Sequence, residues 1–181
     1  MHGIVSLLDG TIDHSLQKLG AELCAATGLT HRFKTIRPYI PYYVSCTYNW
    51  EQLERYLHEC ASSHSAFVIQ TAGLCIFADP TPCLSIAIVR SPQLARFQQC
   101  LWKTFLRISE YPPLDYHPEH WIPRIEIPLP GLDEDKLARV LPCITKQNFR
   151  WELEIAHIAV LDIEAPELKV LFQLPLQRPV E

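Results

Sequence analysis

Of the 181 residues, 48% are hydrophobic and 20% charged, the balance of a globular chain long enough to close a substantial core. A formal net charge of −4 excludes general attraction to nucleic acid, so any polyanion contact has to come from a local cluster. The seven cysteines are odd in number and never spaced Cys-x-x-Cys, which predicts reduced thiols in a cytoplasmic protein rather than a disulfide framework or a zinc site, and neither a leader peptide nor a membrane span is expected.

Residues 2–8 read as an opening strand closed by a turn at Asp9-Gly10. Leu16, Leu19, Leu23 and Ala26 then recur at helical spacing, with Asp13 as the expected cap and Gly28 as the stop. Residues 32–37 are polar and extended, with a strand expected at their start. Residues 42–49 alternate, with Tyr42, Val44, Cys46 and Tyr48 on one face and Tyr43, Ser45, Thr47 and Asn49 on the other; this predicts a half-buried strand. A helix follows over 50–61, then short strands over 66–70 and 73–77, a turn over 79–82, and an apolar central strand over 83–89. Ser91, with Pro92 behind it, caps a helix that carries Leu94, Phe97, Leu101 and Phe105. A proline-rich loop over 109–121 leads to a strand at 124–129. Next comes a helix carrying Leu137, Val140, Leu141 and Ile144, which Pro142 should shorten or kink. A long strand over 149–163 and a last one over 169–174 complete the chain. Alternating runs of strand and helix with half-polar strands predict an α+β fold.

In the run Tyr116-His117-Pro118-Glu119-His120-Trp121-Ile122-Pro123-Arg124-Ile125-Glu126-Ile127-Pro128, an aromatic and proline approach enters a strand of period two. Arg124 and Glu126 face one way; Ile125, Ile127 and Leu129 face the other. The segment resembles the second signature of the two-histidine (2H), 2′-5′ RNA ligase-like phosphoesterases, in which a histidine and a threonine hold the positions of Arg124 and Glu126. The resemblance implies a bilobal, pseudo-duplicated pair of antiparallel sheets, with helices on the outer faces, a central cleft, and one domain over 1–181. The halves echo each other at a constant offset, since 124 − 43 = 81 and 126 − 45 = 81. Carried across position by position, the first lobe offers Tyr43 and Ser45. A neighbouring register offers Tyr42 and Val44; the shared polar face of Tyr43 and Ser45 selects the former.

In the family, paired imidazoles exchange protons as acid and base while hydroxyls hold phosphate oxygens. Arginine keeps its proton at any relevant pH, and a phenol with an ordinary pKa of about 10 is a poor base. The resemblance therefore implies a catalytically degenerate relative whose cleft, with Tyr43, Ser45, Arg124 and Glu126 as ligand-binding candidates, takes a nucleotide-like or other small anionic ligand and needs no cofactor. Two other readings stand beside it: a phosphodiesterase with a rearranged site acting on RNA ends or cyclic phosphates, and an interaction module that makes contact through the loop around Trp121. From the residues alone, Arg124 and Glu126, two positions apart on one face, read as a pair that neutralises itself across a solvated cleft ahead of an anion site. His117 and His120, with Glu119 between them, read as surface loop residues rather than a metal site. Arg32, Lys34 and Arg37, with Phe33 and Tyr39 interleaved, form a small basic patch that reads as a solvated strand edge. Trp50, Trp102, Trp121 and Trp151 are expected in core and lobe-interface packing.

Overall fold

The computed structural model describes residues 1–8, 11–29, 37–77, 82–145, 147–164 and 168–178. The expected turn at Asp9-Gly10, the segment from His31 through Arg32, Phe33 and Lys34, and most of the turn over 79–82 lie outside them.

The elements follow in the order β1 (His2–Leu7), α1 (Thr11–Thr27), β2 (Tyr39–Ser45), β3 (Thr47–Tyr48), α2 (Trp50–Ser63), β4 (Phe67–Phe77), β5 (Cys83–Ile88), α3 (Pro92–Phe105), β6 (Ser109–Glu110), a 3-10 turn (Leu114–Tyr116), β7 (Arg124–Glu126), α4 (Glu134–Ile144), β8 (Glu152–Ile155), β9 (His157–Asp162) and β10 (Lys169–Pro175). Two four-stranded antiparallel sheets result, ordered β10-β9-β1-β2 and β7-β5-β4-β8, with β3 and β6 as a small separate pair. β2 lies at the edge of one sheet against β1, and β7 at the edge of the other against β5.

Helix ends follow local chemistry. Asn49, Ser91 and Asp133 each accept a hydrogen bond from a backbone N–H three residues on, satisfying a donor with no partner inside the helix. α1 starts at Thr11, two residues before Asp13, which sits in the first turn instead of capping it. Gly28 ends that helix at a φ of +73°, a conformation cheap only for glycine. α4 runs two residues past Pro142, so this proline does not terminate it.

Several strand expectations change: the strand expected over 124–129 ends at Glu126, and the expected loop over 109–121 opens on the short strand β6. The two short segments over 66–77 form the single strand β4, because Gly73, at a φ of +130°, accommodates a register shift between Thr71 and Gly73. The long strand over 149–163 breaks at Ala156: β8 joins β4 in one sheet and β9 joins β1 in the other. The alternation over 42–49 does not describe β2, in which Tyr42, Tyr43, Val44 and Ser45 are all buried. The pairing of β1 with β2 moves from Ile4↔Tyr43 to Val5↔Pro41, leaving Tyr42 as an extra residue. Face parity reverses at this bulge, so Tyr39 and Pro41 share a side with Leu7 and Val5, while Tyr43 lies on the side of Ile4.

One apolar cluster runs from Ile4, Leu16 and Tyr43 through Leu57, Phe97 and Phe105 to Ile86, Ile125 and Ile155, drawing on both sheets and all four helices. A smaller cluster of Val5, Leu7, Ala159 and Leu161, backed by Tyr39, Ile163 and Leu168, covers the other side of the β1 sheet. Trp102 and Trp121 are buried and Trp151 is partly so. Trp50 departs from expectation: it is 45% exposed and rests edge-on against His2 at 4.8 Å. No helix among the described residues is long and apolar enough to cross a membrane.

Candidate functional site

β7 brings Arg124 and Glu126 to one side of its sheet and seals Ile125 into the core on the other. Paired residues of an antiparallel sheet point the same way, so Ser85 shares the side of Glu126, Ala87 that of Arg124, and Cys83 and Phe77 the side of Ser85. The Arg124 guanidinium lies over the Phe77 ring at 4.5 Å. The Cys83 thiol is pushed up by burial and then by the charge of the nearby Glu126 carboxylate. The self-neutralising Arg124–Glu126 pair does not form: no ion pair joins them among the described residues.

Facing β7 stands the first residue of β2. Tyr39, absent from the sequence candidates except as an aromatic in the basic patch, holds its phenolic proton well above the ordinary value. Burial is the main cause, with contributions from the Glu126 carboxylate and Tyr116, partly offset by Arg124. Tyr116 is raised in the same direction by burial, against Arg124 and with Glu126 and Asp115. Tyr39, Tyr116, Arg124 and Glu126 therefore feel one another's charge across the space between the lobes.

A groove of about 400 Å³ opens beside them, lined by Tyr39, Cys83, Glu126 and a largely apolar wall that includes Pro128, Leu132, Ile163 and Leu168. Among the described residues, none that lines it is a histidine.

The first-lobe candidates lie elsewhere. Tyr43 is fully buried against Trp102 (5.1 Å between ring centroids) and Phe105 (6.3 Å), with its hydroxyl hydrogen-bonded to Ser109. Ser45 is fully buried too, and donates to the Glu110 carbonyl at 2.7 Å and the Thr47 carbonyl at 3.0 Å. The alternative register fares no better at Tyr42, which packs on Phe97 at 5.1 Å and donates to Ser6 at 3.0 Å. The bulge is the reason: Tyr43 and Ser45 lie on the Ile4 side, while Tyr39 and Pro41, beyond the extra residue Tyr42, are turned to the opposite side, where Tyr39 lines the groove.

The exposed edge of β2 is held by side chains. Trp121 Nε1 donates to the Pro41 carbonyl at 2.9 Å, and Gln98 Nε2 to the carbonyls of Tyr42 (3.2 Å) and Tyr116 (2.7 Å). Trp121 is only 3% exposed, so its indole serves as an internal brace.

Among the described residues, His117, Glu119 and His120 are the one grouping of three potential metal ligands, with ligand atoms within 4.8 Å of one another. His117 Nδ1 already accepts the Glu119 backbone N–H at 3.3 Å, and Glu119 and His120 are exposed, as expected of a surface turn.

Two facing four-stranded sheets, each carrying an edge strand at the mouth of a shared groove, define the 2H phosphoesterase fold. The crystal structure of TT0787 from Thermus thermophilus matches with a TM-score of 0.67 at 13% identity, covering 99% of this chain and 100% of that one. A phosphoesterase matches at 0.62 and 11% identity, covering 98% of each chain. Escherichia coli LigT complexed with 3′-AMP matches at 0.57 and 11% identity, again over 98% of each chain. No family model and no curated protein matches the sequence itself.

Proposed function

We propose that this chain is a catalytically degenerate 2′-5′ RNA ligase-like protein that binds a small nucleotide-like ligand in the groove between its lobes. The observation that carries this reading is Arg124: a half-buried guanidinium braced on Phe77, beside the groove, with no carboxylate partner within ion-pair distance among the described residues. A planar fork of donors so placed suits a phosphate. The apolar wall beyond Glu126 suits a flat base, and Glu126 can accept from ribose hydroxyls or an exocyclic amine. Crystal structures of LigT with 3′-AMP and with NADP+ concern that protein, and they make nucleotides the first ligands to try here.

Loss of catalysis follows from proton chemistry. Tyr39 and Tyr116 keep their protons at neutral pH, so they can donate hydrogen bonds but cannot act as bases, and Arg124 releases no proton. We further read the chain as one bilobal, cytoplasmic domain with an internal duplication. The apolar cluster common to both sheets and the like placement of β2 and β7 support that reading. RNA ends remain a larger version of the same ligand class.

Thermal shift with 3′-AMP and with 2′,3′-cyclic AMP should show stabilisation that Arg124→Ala removes. Incubation with the cyclic nucleotide and a 2′-5′-linked oligonucleotide should show no turnover. Turnover abolished by Arg124→Ala would refute degeneracy, and absence of any nucleotide-induced shift would refute the binding role.

A further inference from the structure

Between the 3-10 turn and β7 the chain makes a tight surface turn that carries His117, Glu119 and His120. The backbone closes it twice: the N–H groups of His120 and Trp121 both donate to the His117 carbonyl, at 2.9 and 2.8 Å. A helix-like turn puts residues three apart on the same side, and the two imidazoles accordingly come together, with ring centroids 5.7 Å apart. One ligand atom from each imidazole and one carboxylate oxygen lie within 4.8 Å of one another.

Packing fixes the shape of this turn independently of anything the groove binds. The His117 ring stands edge-on to the buried Trp102 ring at 5.3 Å, and the His117 N–H donates to the Leu114 carbonyl at 2.9 Å. Arg90 donates to the Pro118 carbonyl, and just beyond His120 the buried Trp121 is tied to the Pro41 carbonyl. Glu119 enters no ion pair among the described residues, so its charge is available to a cation. His117 needs no change of tautomer to bind one, because its Nδ1 lone pair is already unprotonated and meets the Glu119 backbone N–H only at a long 3.3 Å.

We propose that His117, Glu119 and His120 form a binding site for a divalent transition-metal ion of the zinc type. Two imidazoles and a carboxylate suit an ion of intermediate softness, whereas magnesium and calcium take oxygen donors. Donors about 2.1 Å from a tetrahedral ion lie about 3.4 Å from one another, so the three atoms have at most about 1.4 Å to close. Glu119 and His120 are exposed, so rotation about their side-chain bonds supplies that movement, and water takes the fourth position. The ion replaces the Glu119 N–H as the partner of the His117 lone pair. It also reinforces the edge of β2, since the turn lies between Tyr116, whose carbonyl accepts from Gln98, and Trp121, which donates to Pro41.

The test uses the full chain free of any affinity tag. Calorimetric titration with zinc chloride should show a single bound equivalent, and the melting temperature should rise with it; magnesium chloride should do neither. Cobalt in place of zinc should give the weak visible bands of a nitrogen and oxygen donor set without the intense absorption of a thiolate ligand. His120→Ala, at an exposed position, should lose the equivalent while its circular dichroism stays unchanged. Cys46→Ser, which removes the exposed thiol, should keep it. Absence of zinc binding, thiolate absorption in the cobalt form, or an equivalent that persists in His120→Ala overturns the proposal.

Discussion

β2 and β7 hold the same post in their respective sheets, each an edge strand hydrogen-bonded to one neighbouring strand, yet they are built differently. In β7 the pattern reads intermediate, buried, exposed, as period two demands of a strand with one wet face. β2 exposes none of its seven residues. The rings of α3 cover one side, on the other Tyr39 packs against the small cluster of Val5, Leu7, Ala159 and Leu161, and Gln98 and Trp121 close its edge. The first lobe therefore gives the groove a wall and one phenol, and the second gives it charge. Like positions in two sheets need not carry like chemistry.

The largest expected break in this comparison comes from alkali. Tyr39, Tyr42 and Tyr43 all lie on β2 and all hold their protons above the ordinary value of 10.0, in each case mainly through burial; β7 has no such group. The unfolded chain releases these protons first as pH rises. The stability tied to the phenols is thus complete below about pH 10 and is lost as pH climbs toward the folded-state values. Circular dichroism and tyrosinate absorbance should change together in one cooperative step. Smooth ionisation without loss of structure would mean that β2 is open to water.

A smaller break separates the strands by substitution. Tyr43→Ala should lose about 3–5 kcal/mol, since it removes a ring packed among Tyr48, Trp102 and Phe105. Ile125→Ala on β7 should lose about 2–4 kcal/mol by the same cavity argument. Urea denaturation of both variants with unchanged m-values checks the pair. A Tyr43→Ala loss below about 1 kcal/mol would return this residue to the groove as a ligand candidate.

The contrast also explains what could be read from sequence. Helices declared themselves through Ser91-Pro92, Gly28 and the spacing of Leu16, Leu19 and Leu23, because capping and amphipathic periodicity are local properties. β7 was legible for a related reason: one wet face writes an alternating code, and Arg124 and Glu126 lie where that code placed them. β2 was not, because burial on both faces erases the alternation and a single bulged residue inverts it. Tyr39 stayed hidden beyond that inversion, and Ala156 gave no local sign that its strand would split between sheets.

The smallest effect sharpens the comparison most. Arg124 engages Phe77 through a cation–π contact at 4.5 Å, worth about 0.5–1 kcal/mol at a partly exposed site, and reaches the Ile122 carbonyl only at a long 3.5 Å. Its half-buried position adds only modest packing. Arg124→Ala should therefore lower folding stability by about 1 kcal/mol or less, and Arg124→Lys by less still, since the charge stays while the planar fork is lost. Each variant is compared with Ile125→Ala in the same denaturant series, one residue away on the opposite face. If Arg124→Ala costs as much as its neighbour, the arginine is a structural member of β7 and is no longer available to a phosphate. If it costs little, a loss of nucleotide response in that variant measures binding and not unfolding.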